Sequence, residues 1–340
     1  MKQAWLIGPG RIAVKEVPFS PEKVKLGRGE ILVRIRAALT CGTDLKAYLR
    51  GHNLIPMPGP LGHEFSGTLI KAGRGVAFKA GEDIMSVHTA PCGACLYCEK
   101  GLENLCESIM DTKVLGAFGE YLILPAHIVK NNVFKKPKNL SFEEACFLEP
   151  LSCVVHGLSG LRFKKGDIAL VIGAGPIGLL HLILLREKGV RTAIAALEPE
   201  RLRLAKKLGA ETAAKPDKLK SSLKRFAPLG VDFVFECTGK KEIWEESVNY
   251  LRRGGTAVLF GGLKKGTQIT YAAEKIHYDE ITLKGSFHYR PEDVKEAYRL
   301  LAKRKIDVRP LISGSFNLDE TEKALKNLAK GKGIKYVIRP

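Results

Sequence analysis

The sequence predicts an α/β protein of two domains, one a β-rich region and the other a doubly wound parallel sheet. Three observations carry this. The 340 residues suffice for about two domains of roughly 100–200 residues each. Residues 1–140 read as short strands punctuated by glycine. Beyond about residue 148 the chain repeats strand, glycine turn and amphipathic helix, the spacing of a parallel sheet covered by helices.

Taken in order, residues 31–36 alternate apolar and basic side chains, as a half-buried strand does. Further strands are expected at 65–70 and 120–124. Residues 167–172 form a continuous apolar run, suited to a parallel strand with both faces covered. A helix over 176–188 follows, opening on Pro176, where the missing N–H costs nothing. Strands at 192–197, 231–237 and 256–260 then alternate with helices at 199–208 and 242–251. After residue 286 two more helices are expected, at 291–303 and 318–330, and then a terminal strand. The sequence contains no internal repeat and no low-complexity linker.

Composition narrows the function classes. With 45% hydrophobic and 27% charged residues the chain is ordinary globular protein, which excludes collagen, a long coiled coil and wholesale disorder. No apolar run approaches the ~18–20 residues of a membrane helix, and the N-terminus lacks the apolar core of a signal peptide. The expectation is a soluble cytoplasmic protein. Fifty-five Lys and Arg against 36 Asp and Glu give a formal charge of +19, which would suit a nucleic acid or a phosphorylated partner. The basic residues are spread evenly, however, with no basic tail and no nucleic-acid motif. A solvated basic surface is the simpler reading, with neither nucleic acid nor membrane as partner. Only Gln3 and Gln268 represent glutamine, a weak compositional sign of heat adaptation.

Three constellations carry chemistry. Cys92, Cys95, Cys98 and Cys106 form a C-x2-C-x2-C-x7-C array, which can close around one zinc ion as a tetrahedron of thiolates. Disulfides, disfavoured in a cytoplasmic chain, and an iron–sulfur cluster are the alternatives. With every position filled, such a zinc would be structural. The second constellation is scattered: Cys41 in Cys41-Gly42-Thr43-Asp44, His63 and Glu64 after Gly62, and Glu149 before Pro150. One thiolate, one imidazole and carboxylates suit a catalytic zinc with an open position, although each residue alone reads as ordinary core or hydrogen-bonded polar group. The third is Gly173-Ala174-Gly175-Pro176-Ile177-Gly178, placed after an apolar strand and opening a helix. Its glycines allow a tight turn, a close approach of pyrophosphate to the backbone, and close helix–strand packing. The phosphates would face unpaired N–H groups at the helix N-terminus.

In this order and spacing, these motifs resemble the zinc-dependent medium-chain dehydrogenase/reductase family over nearly the whole chain. The Glu149-Pro150-Leu151-Ser152 version looks like the polyol (sorbitol/iditol) dehydrogenase branch. The resemblance implies a GroES-like β domain built from 1–147 and 286–340, with a Rossmann dinucleotide-binding domain at 148–285 inserted in it and the active site in the cleft between them. It implies two Zn2+ per chain, one structural in the four-cysteine loop and one catalytic on Cys41, His63 and Glu64. Glu149 would ligate the catalytic ion or hold its water, exchanging with Glu64. Zinc would polarise the substrate oxygen, Thr43 would hydrogen-bond that oxygen and pass its proton outward, and hydride would go to NAD or NADP. The glycine turn (Gly173, Gly175, Pro176, Ile177 and Gly178) would hold the dinucleotide. Relatives of this branch are homo-oligomers, so a tetramer or dimer is expected.

Two positions depart from the family pattern. Lys46 stands where many relatives carry a relay histidine, and a lysine is a poorer proton shuttle near neutrality. Ala196 stands where NAD-specific relatives place the aspartate that binds the ribose diol. Glu198, two residues on, favours NAD if it reaches the diol, whereas Arg201 would attract a 2′-phosphate; the balance is close to even and leans to NAD because the acidic group is near. The leading substrate reading is the secondary hydroxyl of a polyol or sugar alcohol. L-threonine 3-dehydrogenase and a sugar or phosphorylated-polyol dehydrogenase are the alternatives within the class. A non-enzymatic zinc-finger protein binding nucleotides or nucleic acid is the distant one. Cys146, Cys153 and Cys237 read as small buried hydrophobes, and His288 as a candidate to line a substrate or subunit boundary.

Overall fold

The computed structural model describes all residues, Met1–Pro340. It divides into one unit of Met1–Cys153 with His288–Pro340 and a second of Val154–Phe287. The first crossing falls inside the helix Leu148–Leu158 and the second after Phe287, against the 147/148 and 285/286 boundaries expected from the sequence. A continuous helix carries no composition signal at its middle. No helix is long and apolar enough to cross a membrane.

The first unit is β-rich. Its larger sheet runs in the order Ile312–Asn317, Lys335–Arg339, Ile31–Leu39, Glu64–Ala72, Asp83–Ser86, Val133–Lys135, and Tyr121–Leu124 also pairs with Ile31–Leu39. A smaller sheet pairs Lys2–Gly8 with Arg11–Glu16 and with Gly59–Pro60. The strand Ile31–Leu39 exposes only Arg34 and Arg36, the two basic residues whose alternation marked it in the sequence. Its remaining residues are buried because neighbouring strands flank it on both edges. Leu6, Ile31, Val33, Phe65, Leu69, Phe118, Leu325 and Ile338 lie together in the core beneath it. Burying each side chain of this size contributes about 1.5–3 kcal/mol. The register explains why both chain ends belong here: Val337 lies opposite Leu39, and Leu39 opposite Glu64. The last strand thus starts beside residues 39–41 and 64.

The second unit is a six-stranded, wholly parallel sheet in the order Thr212–Ala214, Arg191–Ala195, Ile168–Ile172, Val231–Glu236, Leu251–Leu259, Thr282–Gly285. Helices Pro176–Glu187, Pro199–Lys207, Pro216–Phe226 and Lys241–Ser247 connect its strands. Strand order 3-2-1-4-5-6 is that of a doubly wound nucleotide-binding sheet. Leu170, Ile172, Ala193, Leu223, Val234 and Leu251 form its core. The helix expected at 242–251 stops at Ser247, and a 3-10 turn over Val248–Tyr250 leads into a strand that starts at Leu251 rather than near 256. Gly254 (φ 70°) and Gly255 interrupt the strand's register, so its first half shows no apolar run. Helices Pro216–Phe226 and Ala273–Tyr278 were not expected; both are rich in charge and bury few residues.

Candidate metal centres and nucleotide turn

The four-cysteine segment is built within a single stretch of chain. Gly93 turns it at φ 77°, a short helix covers Leu96–Glu99, and a 3-10 turn over Glu103–Leu105 returns it to Cys106. The four sulfurs all lie within 4.8 Å of one another, with Cys92–Cys98 at 3.9 Å and Cys95–Cys98 at 3.6 Å. All four are free thiols. A tetrahedron with metal–sulfur bonds near 2.3 Å has edges of about 3.8 Å, so the residues fit one ion. An iron–sulfur cluster spreads its cysteines over more than one iron and needs a wider cage. Backbone N–H groups of Ala94 and Cys92 donate to the sulfurs of Cys92 and Cys106. Burial works against ionisation of Cys106, yet the Ser108 hydroxyl and the Cys92 N–H outweigh it and bring the thiol down to about 6. Burial pushes Cys98 up to about 12.

The scattered constellation does converge. Cys41, His63 and Glu64 offer ligand atoms within 4.8 Å of one another. Cys41 caps the helix Gly42–Arg50, its sulfur accepting from the Thr43 N–H at 3.5 Å while Asp44 Oδ2 accepts from the Cys41 N–H at 2.9 Å. This capping box fixes Cys41 at the helix mouth and places Thr43 in the first turn, with Lys46 one turn further. Glu64 begins the strand Glu64–Ala72, and His63 immediately precedes it. Gly62 turns into it at φ 89°, where a Cβ would lie 2.6 Å from the Phe118 ring, so no other residue fits.

A second layer of polar groups surrounds these three. Buried Asp44 brings Oδ1 to 3.5 Å from His63 Nδ1, a carboxylate behind an imidazole that orients the ring and fixes which nitrogen faces the centre. Burial disfavours a proton on His63, but Asp44 and Cys41 outweigh it and hold the imidazole well above its ordinary value. Glu64 is fully buried, and both of its oxygens accept from Lys335 Nζ, at 2.7 and 2.5 Å. Burial pushes the Glu64 carboxyl up while Lys335 pulls it back. Glu149, in the first turn of Leu148–Leu158, stands outside the close set and joins it through His88, whose Nδ1 lies 3.5 Å from Glu149 Oε1 and whose ring centroid is 4.9 Å from that of His63. Burial raises Glu149 to about 7 and pushes the His88 imidazole well down, keeping it neutral. Cys153 donates to Glu149 Oε1 at 3.9 Å, so this thiol borders the centre rather than serving only as packing.

Lys335 and His88 gave no signal in the sequence. A lysine in a terminal strand reads as surface, and a histidine in a loop reads as nothing in particular. Asp44 stood in a motif without a role of its own. His288, at φ 61°, packs into the same neighbourhood: its Nε2 is 2.6 Å from Thr89 Oγ1, which also donates to the Tyr289 hydroxyl at 3.0 Å.

In the second unit the glycine turn has the geometry its residue types require. Gly173 sits at φ 106° and donates its N–H to Ala195 O at 2.8 Å. Around Gly175, which caps Pro176–Glu187, a Cβ would meet nothing within 4 Å, leaving the helix mouth open to a ligand. A Cβ on Gly178 would fall 1.8 Å from Gly173 O, the close packing that only glycine permits. Ile177 completes the first turn and offers its carbonyl to His181 Nδ1 at 3.0 Å. Ala196 follows the second strand and is buried. Glu198 caps Pro199–Lys207 and approaches Arg201 Nε at 4.0 Å, an atom that is buried without a hydrogen-bond partner.

A parallel six-stranded sheet opened by such a turn, in a chain whose other, β-rich unit holds a sulfur–imidazole–carboxylate cluster, defines a zinc-binding dehydrogenase. The comparisons agree. Residues 27–138 match the alcohol dehydrogenase GroES-like domain, and residues 176–303 match the zinc-binding dehydrogenase domain. The chain is 33% identical to D-arabinitol dehydrogenase 1 of Uromyces fabae, over 92% of this chain and 90% of that protein. It is 30% identical to sorbitol dehydrogenase of Halalkalibacterium halodurans, over 98% and 97%. A zinc-binding dehydrogenase of Sinorhizobium meliloti, solved bound to NADP, superposes with a TM-score of 0.89 at 30% identity, covering 100% of this chain and 99% of that one. The chain belongs to the zinc-dependent medium-chain dehydrogenase/reductase family, on its polyol dehydrogenase-like side, and is an oxidoreductase.

Proposed function

We propose that the protein oxidises a secondary hydroxyl of a polyol or sugar alcohol, with NAD or NADP accepting the hydride, at a centre formed by Cys41, His63, Glu64 and Glu149. The observation that carries this is the convergence of half-buried Cys41 with buried His63 and Glu64 from separate stretches of chain. The curated relatives' activities on sorbitol and D-arabinitol support the substrate class. Zinc bound there supplies Lewis-acid polarisation of the substrate oxygen, and the nicotinamide supplies the hydride acceptor.

The chain supplies the rest. Cys41, His63 and a carboxylate, Glu64 or Glu149, would hold the ion. Asp44 keeps the His63 ring turned, and the Cys41 cap keeps Thr43 in the first turn, where its hydroxyl would accept the proton of the substrate hydroxyl. Cys92, Cys95, Cys98 and Cys106 would hold a second, closed zinc that fixes the fold of an otherwise coreless lobe. Gly173, Gly175, Pro176, Ile177 and Gly178 would receive the pyrophosphate. Ala196 brings no carboxylate to repel a 2′-phosphate, and Arg201 Nε lacks a hydrogen-bond acceptor. We read that balance as favouring NADP, with Glu198 as the residue that would instead select NAD. The residue division 1–147 with 286–340 and 148–285 corresponds to catalytic and dinucleotide-binding domains. Eight free cysteines suit a reducing cytoplasm, and we infer a homo-oligomer, tetramer or dimer, as for the family.

One experiment tests the whole reading. Purified protein is titrated with NADH and NADPH, assayed against polyols, sugars, threonine and simple alcohols, and its zinc counted. Tighter binding of NADPH, turnover of polyols and two zinc ions per chain are expected. Turnover confined to simple alcohols would remove the polyol assignment, and strong preference for threonine would move the enzyme to L-threonine 3-dehydrogenase.

A further inference from the structure

We infer that Glu236 biases the dinucleotide site by charge, its buried carboxylate favouring the oxidised, cationic nicotinamide over the reduced, neutral one. The inference rests on the reading of the 173–178 turn as the holder of the pyrophosphate.

Placement comes first. Glu236 closes the strand Val231–Glu236 at the carboxyl edge of the parallel sheet, opposite Ile172 of the strand that leads into the glycine turn. Strand order reverses between those two strands, where a doubly wound sheet opens its ligand crevice. The turn packs directly on the residues after Glu236: a Cβ on Gly173 would meet Thr238 Cγ2 at 3.0 Å and the Cys237 carbonyl carbon at 3.4 Å. The two halves of a dinucleotide lie on opposite sides of such a reversal. Ala196 and Glu198, which would meet the ribose of the adenosine half, follow the strand Arg191–Ala195 on one side. The nicotinamide half therefore falls to the other side, that of Val231–Glu236 and Leu251–Leu259.

Glu236 is a charge without a counter-ion. It is 0% exposed and forms no ion pair. Its Oε1 accepts from the Thr238 N–H at 2.7 Å, from the Thr238 hydroxyl and from the Gly239 N–H at 3.1 Å. Oε2 receives only the longer branch of the Gly239 bond, at 3.2 Å, and faces Gly261, where a Cβ would lie 2.7 Å away. Burial pushes the carboxyl up, and the donors of Thr238 and Gly239 pull it back. All of these partners donate, which satisfies a carboxylate rather than its acid. The other charged side chains near this edge are Lys240, Lys241, Glu242, Glu245, Lys264 and Lys265. All but half-buried Glu245 are exposed, and Glu245 pairs with Lys241 at 3.8 Å. Solvent and salt screen that set, so the unscreened charge at the strand end is negative.

Only the ring changes charge between the two forms of the dinucleotide; pyrophosphate and adenosine are the same in both. A buried carboxylate on the nicotinamide side acts on the oxidised form and not on the reduced one. It favours loading of the oxidised dinucleotide and release of the reduced one, the polarity that alcohol oxidation needs. Fully buried, Glu236 cannot touch the ligand, and it acts by its field alone.

Binding measurements on the whole protein test this. Calorimetric titrations with NAD+, NADH, NADP+, NADPH and ADP-ribose, which lacks the ring, compare the parent with Glu236→Gln, Glu236→Met and Thr238→Val. Because Oε1 takes the short bonds, Glu236→Gln keeps them and loses the charge. Its Kd for the oxidised form should rise about tenfold relative to that for the reduced form, with ADP-ribose binding unchanged. Glu236→Met, also neutral, should give the same ratio and carries the test if the glutamine variant does not fold. Thr238→Val keeps the carboxylate and should keep the parent ratio. Equal weakening of oxidised and reduced forms in the neutral variants overturns the inference, as does a ratio that moves as far in Thr238→Val. Failure of the underlying reading looks different: the parent would then bind neither redox form, nor ADP-ribose.

Discussion

Two metal-binding regions of one unit are built in opposite ways. The lobe over Cys92–Cys106 gathers four sulfurs from fifteen consecutive residues, leaves Cys92 exposed, and is supported by backbone N–H groups of its own segment and the nearby Ser108 hydroxyl. The Cys41–His63–Glu64 centre draws on distant stretches, is buried, and is surrounded by Asp44, His88 and Lys335. The first needs a metal to have any interior at all. The second already has an interior, in which Lys335 neutralises Glu64 while Asp44 Oδ1 is buried without a hydrogen-bond partner. The difference separates a site that holds structure from a site whose structure holds it.

The contrast can be broken by mutation, and the largest effect belongs to the buried centre. Cys41→Ser or His63→Ala should lower turnover by about a thousandfold or more, roughly 4 kcal/mol of barrier, with the melting temperature little changed. Fluorescence titration with the reduced dinucleotide should show binding retained, since the glycine turn lies in the other unit; turnover near the parent value in both variants would end the catalytic assignment. In the exposed lobe the balance reverses. Cys95→Ser should remove about 3 kcal/mol or more of stability, visible as a melting point roughly 6–12 °C lower, and activity should fall only in step with unfolding. A chelator-resistant, fully stable Cys95→Ser protein would show that the lobe needs no metal.

Smaller changes sharpen the comparison. Asp44→Asn keeps the shape behind His63 and removes its charge, so metal retention should weaken about 10–100-fold in chelator competition. A baseline free of metal comes from the second unit, where His181 is buried with a pKa lowered by burial to about 4. The unfolded chain takes up this proton near 6.5 and the folded chain only near 4, so stability is full above pH 6.5 and declines as the pH falls between those values. At pH 5 the loss is about 2 kcal/mol. His181→Leu should flatten that part of the pH profile of the melting temperature, and an unaltered profile would assign the acid sensitivity elsewhere.

Legibility followed the same division. The lobe and the glycine turn were readable because spacing alone states the geometry: three turns of backbone bring four cysteines together, and Gly178 has to be glycine where it meets Gly173 O. The sheet in the second unit was readable for a related reason, since buried parallel strands are continuous apolar runs. Charged helices such as Pro216–Phe226, which bury two leucines only, left no comparable trace. At the buried centre, Cys41, His63, Glu64 and Glu149 were found through resemblance to a family, because residues that far apart carry no spacing to read. His88 and Lys335 were missed altogether. Their meaning lies in register, Val337 against Leu39 and Leu39 against Glu64, which no local pattern encodes.

The strand Lys335–Arg339 sets a timetable as well as a contact. Every strand and connecting helix of the nucleotide-binding sheet is complete once residue 285 has been made, so that sheet can close while translation continues. The β-rich unit has to wait for residues 335–339, and until they leave the ribosome Glu64 lacks the Lys335 ammonium. Shortening the chain by six residues would therefore remove, from its far end, the partner of a carboxylate made near its beginning.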